Sequence, residues 1–170
     1  MADRASASIL IGGVLPRDLV DPLLDAIGAD GGHDGWDEVP IDVGALDRRD
    51  PLEVCGYDLA GGVFDRLEDF CAEHGLSYVR SSGSCPGAFG PERVVFEGVG
   101  EPRHYALDED DRVVIDRATL DRLGSVEAAR AFFAAAEFAP PPLVLGGPRP
   151  DGRRGGEAGS GDRAGTVPNA

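Results

Sequence analysis

Apolar and polar positions alternate through "SASILIGG", placing Ala7, Ile9 and Ile11 on one side, and this period of two predicts a first strand. The spacing then lengthens. In "LPRDLVDPLLDAIG" the residues Leu15, Leu19, Val20, Leu23, Leu24 and Ile27 recur at helical intervals, with Pro16 suited to a first turn and Gly28 to a stop. Pro22 would clash inside a helix, so this element is kinked or begins near residue 21. Residues 28–50 are polar and rich in Asp and Gly, which predicts a loop, and a strand follows over 52–57. The clearest helix is "GGVFDRLEDFCAEHG". Val63, Phe64, Leu67, Phe70 and Cys71 form its apolar stripe and Gly75 ends it.

Strands are predicted over 76–81 and 93–97, then a hairpin in "RHYALDEDDRVVID" with "DEDD" at its tip. Ser125 is suited to cap a last helix, "VEAARAFFAAAEF", which the prolines at 140–142 close. The order β-α-β-α-β-β-β-β-α implies a mixed sheet with helices mainly on one face, an α+β or α/β protein. Its first part reads as a βαβαβ unit with parallel strands. Residues 1–146 form one predicted domain. From Gly147 onward, "GPRPDGRRGGEAGSGDRAGTVPNA" has almost no apolar side chain to bury, so residues 147–170 are expected to be a disordered tail.

Composition narrows the chemistry. Asp and Glu total 31 against 16 basic residues, a formal charge of −15, and every basic residue is arginine. Without lysine there is no Walker-type phosphate lysine, no Schiff-base lysine and no protein-kinase lysine. Arginine in place of lysine, with abundant Ala, Gly and Asp, is the coding bias of a GC-rich bacterial genome. So negative a chain argues against direct nucleic-acid binding, because phosphate neutralisation supplies most of that affinity. No apolar run reaches the roughly 18 residues of a membrane helix. The N-terminal apolar stretch is too short for a secretion signal, and three cysteines make an odd number, so a reduced, cytoplasmic protein is expected.

Cys85 stands in the small-residue loop "SSGSCPGAFG", where glycines could bring backbone N–H groups to an anion. As a nucleophile it needs a base, and His104 on a nearby predicted strand is the candidate. Pro86 removes the donor just after Cys85, a strand follows instead of a helix, and no phosphatase arginine follows Gly90. Arg80, Arg93 and Arg103 bound neighbouring predicted strands; converging, they would make a positive spot for phosphate or carboxylate. Neither zinc spacing nor an EF-hand ligand set is met, so no metal or cofactor is predicted. The expectation that follows is a small acidic accessory or protein-interaction module without catalytic activity, with Trp36 or Phe89 as exposed anchors. The alternatives are a cysteine-dependent enzyme of small anionic substrates and an acidic inhibitor that mimics nucleic acid.

Overall fold

The computed structural model describes residues 3–147, so the expected tail lies outside the described residues except for Gly147. Six strands form one sheet: β1 Arg4–Pro16, β2 Leu52–Ala60, β3 Ser77–Ser82, β4 Glu92–Phe96, β5 Arg103–Ala106 and β6 Leu143–Gly146. Four α-helices accompany them: α1 Val20–Ala29, α2 Asp65–His74, α3 Arg117–Leu123 and α4 Val126–Ala136. The protein is a mixed α+β fold.

The alternation that announced β1 also explains its place. Ala5, Ala7, Ile9 and Ile11 are buried on one face while Arg4, Ser6 and Leu10 are exposed on the other. β1 is the central strand and uses three partners. Its first two-thirds pairs antiparallel with β2 and β3, and Gly13–Pro16 pair parallel with β6. The strand order is β2-β1-β3-β4-β5, with β6 joined to β1. The parallel βαβαβ start expected from sequence is corrected here: β1 and β2 run antiparallel. The long connection 30–51 after α1 carries the chain back to the end of β1 from which it came. β2 and β3 are both antiparallel to β1 and hence parallel to each other. With α2 between them they make a split β-α-β unit around β1.

The two faces are covered differently. On the first, Leu23 and Ile27 of α1 and Leu67, Phe70 and Cys71 of α2 pack on Ile9, Ile11, Val54, Tyr78, Val94 and Phe96. Ile9, Ile11 and Leu23 are fully buried, each contributing about 1.5–3 kcal/mol of transfer free energy. On the second face α4 places Phe132 and Ala136 over Val79, Val95 and Tyr105. Leu10 of β1, on that same face, stays 37% exposed.

Local chemistry fixes the joints. Gly12 has no room for a side chain: a Cβ there would lie 1.8 Å from the Pro141 carbonyl oxygen. That close crossing lets the Pro142 carbonyl accept from Gly13 N–H and delivers β6 to the end of β1. Pro22 falls in the first turn of α1, where its missing N–H costs no intrahelical bond. Asp30, just past α1, reaches across to α2, and its carboxylate accepts from the Arg66 and Leu67 N–H groups at 3.3 and 2.9 Å. The "DEDD" tip is present, held by Asp108 N–H to Arg112 O and by Asp108 Oδ1 accepting from Asp110 and Arg112 N–H, but the expected return strand is not: past the tip the chain pairs only through an isolated Leu107–Val113 bridge. Two elements were not foreseen, α3 and β6. α3 is capped by Asp116, which accepts from Thr119 N–H at 2.7 Å, and ends at Gly124 in the left-handed region.

Candidate functional site

Alternation along β3 puts Tyr78, Arg80 and Ser82 on the first face, inside the core, and leaves Val79 for α4. A guanidinium is thus 2% exposed. Its position is tolerable only because its surroundings are polar. Arg80 Nη1 donates to Gly62 O at 2.9 Å and to Ser82 Oγ at 3.1 Å, and Nη2 donates to Glu92 Oε2 at 3.0 Å. Nε lies 2.8 Å from Glu68 Oε1, an ion pair without the alignment of a hydrogen bond. Glu68 Oε1 also accepts from Phe64 N–H, and its Oε2 from the Tyr78 hydroxyl, both at 3.1 Å.

Two carboxylates therefore flank one buried cation. Burial pushes the Glu68 carboxyl above the ordinary glutamate range, against the pull of Arg80, Phe64 N–H and Tyr78 in the other direction. Burial, together with the neighbouring Glu68 charge, also raises the Tyr78 phenol. Toward the surface the network ends at His104, whose Nδ1 lies 2.9 Å from Glu92 Oε1. With Nη1 and Nη2 donating to protein acceptors, Nε closed off against Glu68 and almost no exposure, Arg80 has nothing to offer an incoming anion. The cluster ties α2 to β3 and β4. It holds a polar core together, and removing one partner would strand a buried charge.

The three arginines singled out in sequence do not meet. Arg80 lies opposite Val94 in register, so Arg93 projects from the other face, where it stands between Ser81 and Tyr105. Arg103 shares that second face but is exposed and ion-paired with Glu97. Arg93 makes no ion pair among the described residues, and its buried Nε has no hydrogen-bond partner there.

The Cys85 loop folds as a small hairpin tip. Cys85 N–H donates to Phe89 O, and the Ala88 and Phe89 N–H groups both return to Cys85 O. Backbone donors at three of the positions expected to cradle an anion are consumed by the loop itself. Gly87 supplies the positive φ that the tight turn requires. Cys85 and Phe89 are both partly buried, and among the described residues no hydrogen bond joins Cys85 to His104. The remaining thiols are packed away: burial raises Cys55 to about 11 and Cys71 further still.

Trp36 is placed differently. It sits in a short 3-10 turn, Gly35–Asp37, closed by the Asp34–Val39 bridge and by the Arg48–Asp34 ion pair. Its ring meets Tyr57 of β2 edge-on at 5.3 Å, and the Tyr57 hydroxyl donates to Trp36 O at 2.6 Å. The two rings are 47% and 43% exposed, and Val39 beside them 50%. β2 is the outermost strand of the sheet on this side. Tyr57 was missed in sequence. Its signal was an aromatic at a polar-facing strand position. Glu68 and Glu92 were missed because, among 31 acids, only strand register and helix phase single them out.

Comparison with protein-family models, with curated proteins and with solved structures returns no match. Among the described residues no helix is long and apolar enough to cross a membrane.

Proposed function

We propose that this chain is a small acidic protein-interaction module without catalytic activity of its own, and that it docks a partner protein through Trp36 and Tyr57. One observation carries the reading: two aromatic rings, locked together by a T-shaped contact and a 2.6 Å hydrogen bond, stand nearly half exposed at the sheet edge. Aromatic side chains held rigid before contact are the usual anchors of an interface, because little conformational freedom is lost when they are covered. Val39 extends the apolar surface, and the acidic residues Asp37 and Glu38 give it a polar rim. The negative charge of the chain favours a basic partner and speeds its encounter.

The test is capture from a lysate of the native host, with wild type and Trp36→Ala as baits at matched melting temperature. Loss of a captured protein with Trp36→Ala supports the reading. Capture that is indifferent to Trp36→Ala but abolished by reversing surface acids would replace it with nucleic-acid mimicry.

A further inference from the structure

A second site lies at the other end of β1, away from the aromatic pair. Beside β6 the surface opens into a cleft of about 520 Å³, lined by Arg17, Arg49, Asp47 and the apolar residues Pro142, Val144 and Leu145. In a chain with nearly two acids per arginine, neither the Arg17 nor the Arg49 guanidinium has an ion-pair or hydrogen-bond partner among the described residues. Their neighbours show how they come to be free. Arg48 turns toward Asp34 and pairs with it, whereas Arg49 takes a left-handed backbone, φ 58°, and turns the other way. For a residue with a side chain that conformation is uncommon and costs on the order of 1 kcal/mol or more. Here it delivers a guanidinium to the cleft.

The cleft wall has main-chain capacity as well. Pro142 O accepts from Gly13 N–H on the β1 side, and Leu143 N–H turns the opposite way to Asp50 O. The same alternation turns the N–H and C=O of Leu145 away from β1, toward the side where Asp47 and Arg49 stand.

We infer that this cleft binds a small aliphatic carboxylate. Its carboxylate would be held between Arg17 and Arg49, its hydrocarbon body against Pro142, Val144 and Leu145. Guanidinium groups suit a planar carboxylate, with which they form paired charge-assisted hydrogen bonds. Asp47 in the same wall opposes a dianion more strongly than a monoanion, and the apolar lining has no use for a fully hydrated phosphate. An α-amino group on the ligand would meet Asp47, so free amino acids and simple acids share the chemistry. This site is independent of the docking surface at Trp36.

The test is an amide-detected NMR titration of the full chain with 4-methylpentanoate, with leucine and with inorganic phosphate. Saturable shifts at residues 47–49 and 143–147 are expected from an aliphatic carboxylate and not from phosphate. Arg17→Gln and Arg49→Gly should each weaken binding roughly ten-fold. Glycine keeps the left-handed backbone without strain, so Arg49→Gly remains decisive even if Arg17→Gln disturbs the fold. Tighter binding of leucine than of 4-methylpentanoate assigns the ligand to amino acids, and the reverse order assigns it to simple acids. The site is overturned by an absence of saturable shifts, by phosphate binding as tightly as either acid, or by affinities that ignore both substitutions.

Discussion

On the first face of the sheet α1 and α2 seal the strands so completely that Arg80 is 2% exposed, whereas on the second face α4 leaves Leu10 37% exposed. Beyond Leu10, the β2 edge carries Trp36 and Tyr57 in water. The two regions put unusual residues to opposite uses. In the sealed region a charge is buried and its surroundings are built to neutralise it, so it stabilises but has no free valence. In the open region apolar rings are left out of the core and fixed in place, so they contribute little to folding and remain available for contact. A residue out of its ordinary environment marks function only when it is also unsatisfied or uncovered.

The sharpest way to break that comparison is Arg80→Met. Removing the guanidinium leaves the largely buried Glu68 with the Phe64 N–H and the Tyr78 hydroxyl but without its counter-ion, and a loss of about 3–5 kcal/mol in urea unfolding is expected at neutral pH. Adding Glu68→Gln to that variant should recover part of the loss. A loss no larger than that of a surface substitution would mean that Arg80 is not the tie it is taken to be.

Truncations sharpen the contrast between faces. Leu23→Ala, in the fully buried layer under α1, should cost about 2–5 kcal/mol. Phe132→Ala, whose ring projects from α4 and is only partly buried against the sheet, should cost less than the ~3–5 kcal/mol typical of an enclosed phenylalanine. Equal losses would show that the second face is as well sealed as the first.

The smallest effect is a slope in pH. The folded-state pKa of Glu68 is raised, so on acidification the folded chain takes up a proton before the unfolded chain does. Wild type should therefore gain stability relative to Glu68→Gln as pH falls from that raised value to the ordinary 4.5. Asp34 behaves in the opposite sense: its hydrogen bond to Arg48 lowers its pKa, and that contribution is present above 3.8 and lost as pH falls through the lowered value. Urea midpoints of wild type, Glu68→Gln and Asp34→Asn across this range check both signs.

Much of this architecture was legible along the chain. The period of two in β1, the stripe of α2 and the caps at Ser125 and Gly75 are local signals, and local signals survived folding. Strand direction was not legible, because a helix between two strands is compatible with either sense once the connection is as long as residues 30–51. β6 was hidden because four residues after three prolines carry too little pattern to distinguish a strand from the start of a tail. α3 had usable signals in Asp116 and Gly124, but its short, mostly exposed body has no apolar stripe. The candidate site was less legible still. Which face Arg80 takes depends on pairing with β1 and β4, and the Trp36–Tyr57 contact joins residues from a loop and a strand that no spacing rule connects.

Hydrogen–deuterium exchange of the chain, free and bound to the protein it captures, compares the two regions in one experiment. Binding should add protection at residues 34–39 and around Tyr57, and leave residues 77–82, already closed in the core, unchanged. Protection gained at the Arg80 strand or around His104, with residues 34–39 unaffected, would contradict the assignment of the contact surface to Trp36.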